Sequence, residues 1–231
     1  MNNAIATEVI KFSSGQIQTS LVELFTSQGC SSCPPAEHWL NKFSNSNALW
    51  ETVVPITFHV DYWDRLGWPD PYANSTFSAR QYWHQQQGHV RSVYTPGMLV
   101  NGKEWRGWIR NKDFPAGVSD AGILSVTANP QLVEVNYSKP ASNLILNVAL
   151  LGIGMQTDVA RGENKGRVLN QDFVVLSHDV YSASNDGWKV KLPKYASNLA
   201  QKYALAIWLS EMDDISPVQE TGYWIPSEWG N

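Results

Sequence analysis

The only two cysteines in the 231-residue chain, Cys30 and Cys33, form one C-x-x-C unit soon after the apolar run Leu21-Val22-Glu23-Leu24-Phe25-Thr26. The run reads as a buried strand closed by the turn formers Ser27-Gln28-Gly29. A helix from about 33 to 43 follows. Ser32 is its expected N-cap, and Pro34 and Pro35 fall in the first turn, where backbone N–H groups lack helical partners. The stretch from Val53 to Val60 is a second buried strand. Strand, helix and strand in succession make a parallel βαβ unit. A bridge between Cys30 and Cys33 closes a very small loop and constrains the unfolded chain little. The pair therefore reads as reactive or metal-binding rather than as a staple.

Composition excludes several roles. A net charge of −4 without clustered Lys and Arg gives no footprint for nucleic acid. No apolar run approaches the ~20 residues of a membrane helix. The opening Met1-Asn2-Asn3-Ala4-Ile5 has neither the basic start nor the apolar stretch of a secretory signal. The sequence thus reads as cytoplasmic, or as the mature form of a periplasmic or secreted protein with a start Met added.

The segment 61–93 opens on turn formers and aromatics, and its later part, about 76–87, is helical in pattern up to Gly88. Tyr94-Thr95-Pro96-Gly97 leads into a short strand, Met98-Leu99-Val100. Asn101-Gly102 is a type I′ hairpin signal, with Glu104 to Trp108 as the returning strand and a short helix expected near Val118. Beyond Asp120 the pattern changes to short strands at about 132–137, 144–151, 173–176, 188–192 and 203–209, with no helical pattern between them. The expectation is an α/β domain over 1–118 with a helical insertion at about 61–93. An all-β, immunoglobulin-like sandwich domain over 119–231 is expected to follow it.

A helix N-terminus favours the thiolate, and the thiolate is the nucleophile of disulfide exchange. Cys30 is placed to attack a disulfide and Cys33 to resolve the mixed disulfide. Cys30 is expected to be the exposed member, since Cys33 points toward the packed side of the helix. The C-x-x-C unit also forms half of many zinc sites.

The stretch from Leu21 to Glu37, with Thr95-Pro96 before a short strand and hairpin, resembles the thioredoxin superfamily over roughly residues 5–118. That resemblance implies a thioredoxin-like fold for the first domain. It also implies a cis-proline at Pro96 beside the cysteines, and a Thr95 backbone offered to an incoming peptide. Thioredoxins keep a buried acid as proton acceptor for the second cysteine, which points to Glu23; the competing reading is a carboxylate at a strand end that reaches water. Gly29 before the pair and Ser31-Ser32 within it depart from the thioredoxin pattern, so a strongly reducing role is not implied. The narrower run from Val22 to Ala36, with His59-Val60-Asp61-Tyr62-Trp63-Asp64, Tyr94-Thr95-Pro96 and Gly162 to Arg167, resembles an uncharacterised bacterial family, domain of unknown function 1223. Its members commonly carry export signals, and it has no established reaction.

His59 and Asp61 end the second strand on the side where α/β sheets place their sites. They are candidate supporting residues. A hydrogen-bonded structural histidine is the competing reading of His59. Tyr62 and Trp63 are the candidates among the loop aromatics for contacting substrate, together with Thr95 and Pro96. Met98 with the cysteines and His59 offers soft ligands for copper(I), although a methionine in a short strand is ordinary packing. Gly162 to Arg167 reads as a hairpin loop, or as a loop that docks the two domains or a partner.

The functional expectation is a thiol–disulfide oxidoreductase acting on protein or small-molecule disulfides with an unidentified redox partner. Cys30, Cys33 and Glu23 carry the chemistry. No organic cofactor is implied, because the dithiol carries the electrons. The alternatives are a copper-binding chaperone built on the same cysteines, and a non-catalytic module with an inert disulfide.

Overall fold

A computed structural model of the chain describes residues 8–115, 117–182, 184, 186–195 and 198–230. In the first half the elements are β1 (Ile10–Ser13), β2 (Ser20–Thr26), α1 (Pro34–Asn41), β3 (Val53–His59), α2 (Ser75–Gln86), β4 (Gly97–Val100) and β5 (Lys103–Glu104). The second half holds strands only, apart from a terminal 3₁₀ turn at Ser227–Gly230. These are β6 (Leu124–Ala128), β7 (Leu132–Tyr137), β8 (Leu144–Ile153), β9 (Met155–Asp158), β10 (Val168–Gln171), β11 (Val174–Tyr181), β12 (Trp188–Lys191), β13 (Lys202–Glu211) and β14 (Pro217–Ile225).

β2 and β3 pair in parallel, Ser20 opposite Val53 and Thr26 opposite His59, and all seven residues of each are buried. Apolar side chains on both faces need cover on both faces, which is what a parallel sheet receives. β4 adds antiparallel to β2, with Gly97 opposite Phe25. Asn101 and Gly102 then turn the chain with φ of 49° and 76°, as the hairpin signal requires. The returning strand stops at Glu104, and the chain makes a 3₁₀ turn at Gly107–Arg110 instead of a helix near Val118.

α1 is capped at Cys33 rather than Ser32, with no side-chain cap bond. Two prolines at its start have no N–H to satisfy, so the cap serine is not needed there. Its buried stripe is Cys33, Ala36, Glu37 and Leu40, at helical spacing.

The expected α/β domain followed by a separate sandwich is not what the chain forms. The protein is mostly strand, and one eight-stranded sheet runs through both halves in the order β14-β13-β8-β11-β3-β2-β4-β5. The join is the parallel bridge of Val174 in β11 to Thr57 in β3, backed by Thr57 N–H donating to Phe173 O at 2.8 Å. The physical reason lies in β3: it is apolar on both faces, and its free edge is completed by a strand more than a hundred residues away in sequence. Period-2 alternation does the rest. Leu146, Val148, Leu150, Leu205, Ile207 and Leu209 point from β8 and β13 toward a four-stranded sheet, β1-β6-β7-β12. Ala149, Leu151, Ala204, Ala206 and Trp208 point the other way, into the core shared with the first half. Each fully buried Leu or Ile contributes roughly 1.5–3 kcal/mol.

β9 and β10 form a separate two-stranded hairpin. It lies against α1, where Asn41 Nδ2 donates to Asn170 O at 2.9 Å and Asp172 N–H donates to Asn41 Oδ1 at 3.2 Å. No described helix is long and apolar enough to cross a membrane.

Candidate functional site

The turn after β2 delivers Cys30 to the start of α1. Cys30 N–H donates to Ser27 O at 3.0 Å, Gly29 N–H to Ser27 Oγ at 3.1 Å, and Cys33 N–H to Cys30 O at 3.3 Å. The cysteines form a disulfide with Cα atoms 5.5 Å apart, inside the usual span for such a bond. Cys30 Sγ lies 3.3 Å from Ser32 Oγ.

Cys30 is not the exposed member of the pair: both cysteines are 0% exposed. Two features cover the loop. Trp63 packs on Gly29, where an added Cβ would stand 3.4 Å from Trp63 Cβ. The tip of the β9–β10 hairpin also lies on the loop. Asn164 Nδ2 donates to Gln28 O at 2.9 Å and to Cys30 O at 3.0 Å, while Ser31 N–H donates to Glu163 Oε2 at 3.0 Å. Of the two readings of Gly162 to Arg167, a hairpin loop and a docking loop, the structure realises both at once.

Tyr62 follows the end of β3 and serves the other side of the site. Its hydroxyl donates to Gln81 Oε1 at 3.1 Å and interacts with the Thr95 side chain, and Gln81 Nε2 donates to Tyr94 O at 2.7 Å. Burial pushes the Tyr62 phenol well above its usual value. Thr95-Pro96 is a cis peptide, and both residues are half-buried. The neighbours Tyr62 and Trp63 thus divide between the Thr-Pro turn and the cysteine loop.

His59 is fully buried. Its Nδ1 is 2.7 Å from Asp70 Oδ2, and its Nε2 has no hydrogen-bond partner. Burial opposes charge on the ring, but Asp70 and Glu37 outweigh it, and the His59 pKa is raised. The Asp70 pKa is lowered: burial alone would raise it, but His59 and the N–H groups of Gln28 and Tyr72 more than offset that. This is the structural histidine of the sequence reading, with one addition. Gln28 N–H donates to Asp70 Oδ2 at 2.7 Å, so the pair also braces the cysteine loop. Asp61 instead ties the end of β3 to α2, accepting the Ser78 hydroxyl while its own N–H donates to Ser78 Oγ.

Glu23 is engaged elsewhere than the sequence suggested. Its Oε2 accepts from Arg80 Nε at 2.7 Å and stands 3.5 Å from His84 Nε2, both on α2. Burial would raise the Glu23 carboxyl, but Arg80 and His84 outweigh it and hold it far below the usual range. Strand alternation explains the mismatch. Thr26, of opposite parity in β2, is the residue that reaches α1, its hydroxyl donating to Glu37 Oε1 at 2.7 Å.

Sequence reasoning missed Glu37. It lies one helical turn after Cys33 on the same buried stripe and is 4% exposed. It also accepts from Gln171 Nε2 at 3.1 Å. Burial raises its carboxyl despite the nearby His59 charge and the two hydrogen bonds. The i, i+4 spacing from Cys33 was the signal available. Nothing comparable marks Asp70 or Asn164, whose partners are remote in sequence.

Met98 is buried in β4 opposite Leu24. Among the described residues no three His, Cys, Asp or Glu side chains are grouped to hold a metal ion.

Fold and site together define a mostly β protein with a buried C-x-x-C disulfide at a helix start, roofed by a hairpin tip from the other half of the chain. The chain belongs to the family described as "Protein of unknown function (DUF1223)", which matches residues 21–210. An X-ray crystal structure of a protein from Agrobacterium tumefaciens is similar at 25% identity, covering 94% of this chain and 97% of that one, with a TM-score of 0.64. HBP35 of Porphyromonas gingivalis shares the fold at 13% identity and a TM-score of 0.52, over 91% of this chain and 76% of that one. No curated protein matches the chain.

Proposed function

We propose that the protein carries out thiol–disulfide exchange through Cys30 and Cys33. The observation that carries this reading is the placement of the disulfide at the start of α1, with a buried carboxyl group, Glu37, one turn further along the same face. A C-x-x-C bridge adds little to stability by loop closure, so a stapling role accounts poorly for it. In the reduced protein Cys30 thiolate attacks a substrate disulfide, forming a mixed disulfide and releasing one substrate thiolate. Glu37 carboxylate takes the proton of Cys33. The Cys33 thiolate then attacks Cys30 Sγ, the Cys30–Cys33 bond forms, and the second substrate thiolate leaves. Two electrons pass from the dithiol to the substrate, and the reverse sequence oxidises a substrate dithiol. Thr95, Pro96 and Tyr62 are the residues proposed to line the substrate side.

The complete burial of both cysteines favours a second reading, a non-catalytic module with an inert bridge. One measurement separates the two. A reduction potential above about −300 mV, with turnover of a protein disulfide that is lost in Cys30→Ser, supports exchange. A bridge resistant to strong dithiol reductant and more negative than about −300 mV supports the inert module.

A further inference from the structure

The cysteine loop lies under a piece of chain that the exchange chemistry does not use. Asn164 is 1% exposed, and its side chain is fully engaged. Nδ2 donates to Gln28 O and Cys30 O at 2.9 and 3.0 Å, and Oδ1 accepts from Arg167 Nη1 at 2.9 Å. Glu163, exposed, adds the bond from Ser31 N–H. The tip is compact in itself: Val159 N–H donates to Arg167 O at 3.0 Å and Gly166 N–H to Val159 O at 2.8 Å. Gly162 and Gly166 sit at φ of 78° and 79°, values that suit glycine. A Cβ on Gly162 would stand 3.0 Å from Trp68 Cβ, so the tip is seated on the aromatic loop as well.

The stem below is held separately. Gln28 Nε2 donates to Thr157 Oγ1 at 3.0 Å and Gln171 Oε1 at 2.8 Å, one residue on each strand of the hairpin. Tip and stem therefore have distinct attachments, and the tip can leave while the stem stays.

We propose that the hairpin tip, residues 159–167, is the specificity gate of the disulfide: Asn164 and Glu163 hold it shut, and a polypeptide opens it where a small thiol does not. The proposal rests on the exchange reading above. Its argument is the chemistry of the three groups that the tip occupies. Gln28 O, Cys30 O and Ser31 N–H are backbone groups, two acceptors and a donor. An extended polypeptide carries matching N–H and C=O groups, so its binding offsets the bonds lost when the tip leaves. A small thiol has no such set and waits for spontaneous local opening. Asn164 and Glu163 are specificity-determining positions that do not touch the reacting sulfurs in the exchange step.

The test uses the full chain in its disulfide form. Reduction is followed with 2-mercaptoethanol and with an unfolded, reduced polypeptide, in wild type, Asn164→Ala and Glu163→Gln. Exchange of the Ser31 amide hydrogen is measured in parallel as a direct report of opening. Asn164→Ala is expected to speed the 2-mercaptoethanol reaction roughly tenfold, the factor carried by one to two net hydrogen bonds. Exposed Glu163→Gln, which leaves the packing intact, raises it by a smaller factor. The polypeptide reaction changes less than about twofold, because the polypeptide replaces the same bonds. Ser31 exchange rises in step with the small-thiol rate. Wild-type rates in both variants, with unchanged Ser31 exchange, overturn the gate. Equal acceleration of both thiols overturns the selectivity for polypeptides. A variant that opens by hydrogen exchange and yet is reduced by neither thiol leaves the gate standing and overturns the exchange reading.

Discussion

His59 and Asp70 make a fully buried ion pair at 2.7 Å, and the same Asp70 oxygen accepts the N–H of Gln28, two residues before Cys30. The pair couples the pH dependence of the fold to the cysteine loop. The folded His59 pKa is raised above 6.5, so its contribution is complete below that pH and fades as pH rises through the folded value. The folded Asp70 pKa is lowered below 3.8, so its contribution is complete above that pH and fades as pH falls through the folded value. Asp70→Asn leaves His59 unpaired in the core and is expected to cost about 3–5 kcal/mol. Thermal melts should show the largest gap between wild type and variant between pH 3.8 and 6.5, closing at alkaline pH. A gap that widens with alkaline pH would contradict the pairing.

Glu37 is expected to control the resolving step rather than the attacking one. Glu37→Gln keeps the acceptor oxygen that Thr26 and Gln171 use, but removes the base. Release of a model mixed disulfide on Cys30 should slow by about 100-fold, the lower range for a lost general base. Formation of that mixed disulfide should stay within about twofold, since it does not depend on the Cys33 proton. In wild type the release rate should rise with pH through a raised carboxyl value, and the variant should lack that inflection. Rapid-quench trapping of the mixed disulfide against pH reads both.

Glu23 gives the matching control. Its partner Arg80 lies over the rings of Phe58 and Trp208, 5.5 and 5.4 Å from their centroids, and its guanidinium is nearly buried. Glu23→Gln strands that charge and is expected to cost about 3–5 kcal/mol in denaturant melts. Because the folded Glu23 carboxyl is lowered below 4.5, this stability is present above pH 4.5 and disappears as acid protonates it. The reduction potential should move by less than ~30 mV, the equivalent of tenfold in the exchange equilibrium. A large shift in potential with little loss of stability would return Glu23 to the redox step.

The local elements were legible because their signals are local. The apolar runs of β2 and β3, the Pro-started helix and the Asn101-Gly102 turn each declare themselves within a few residues. The bridge from β3 to β11 does not, because a strand buried on both faces looks the same whichever partner fills its edge. The same limit hid the short strands β1, β9 and β10 and the edge strand β14. At the site, sequence found both cysteines, Thr95-Pro96 and the two loop aromatics. It assigned the proton acceptor to Glu23 by analogy of position along the strand. The parity of β2, shown by the Thr26–Glu37 bond, turns that residue toward α2. Cys30 looked exposed because nothing near it in sequence foretells Asn164, which arrives from the far side of the sheet.

Ser32 takes on a task that helix starts ordinarily perform with backbone N–H groups. Pro34 and Pro35 have none to give, and the N–H groups of Ala36 and Glu37 are directed at Cys33 O, at 2.9 and 3.2 Å. The hydroxyl 3.3 Å from Cys30 Sγ is therefore the donor at hand for a Cys30 thiolate. Ser32→Ala should raise the Cys30 thiol pKa by about one unit, a typical shift for a lost hydrogen bond to the charged form. It should also make the reduced form less favourable, lowering the reduction potential. Thiolate absorbance against pH in the reduced protein measures the first effect, and glutathione equilibration the second. A Cys30 pKa that is unchanged in Ser32→Ala, in a variant that melts like wild type, would transfer the role to the backbone of the cysteine loop.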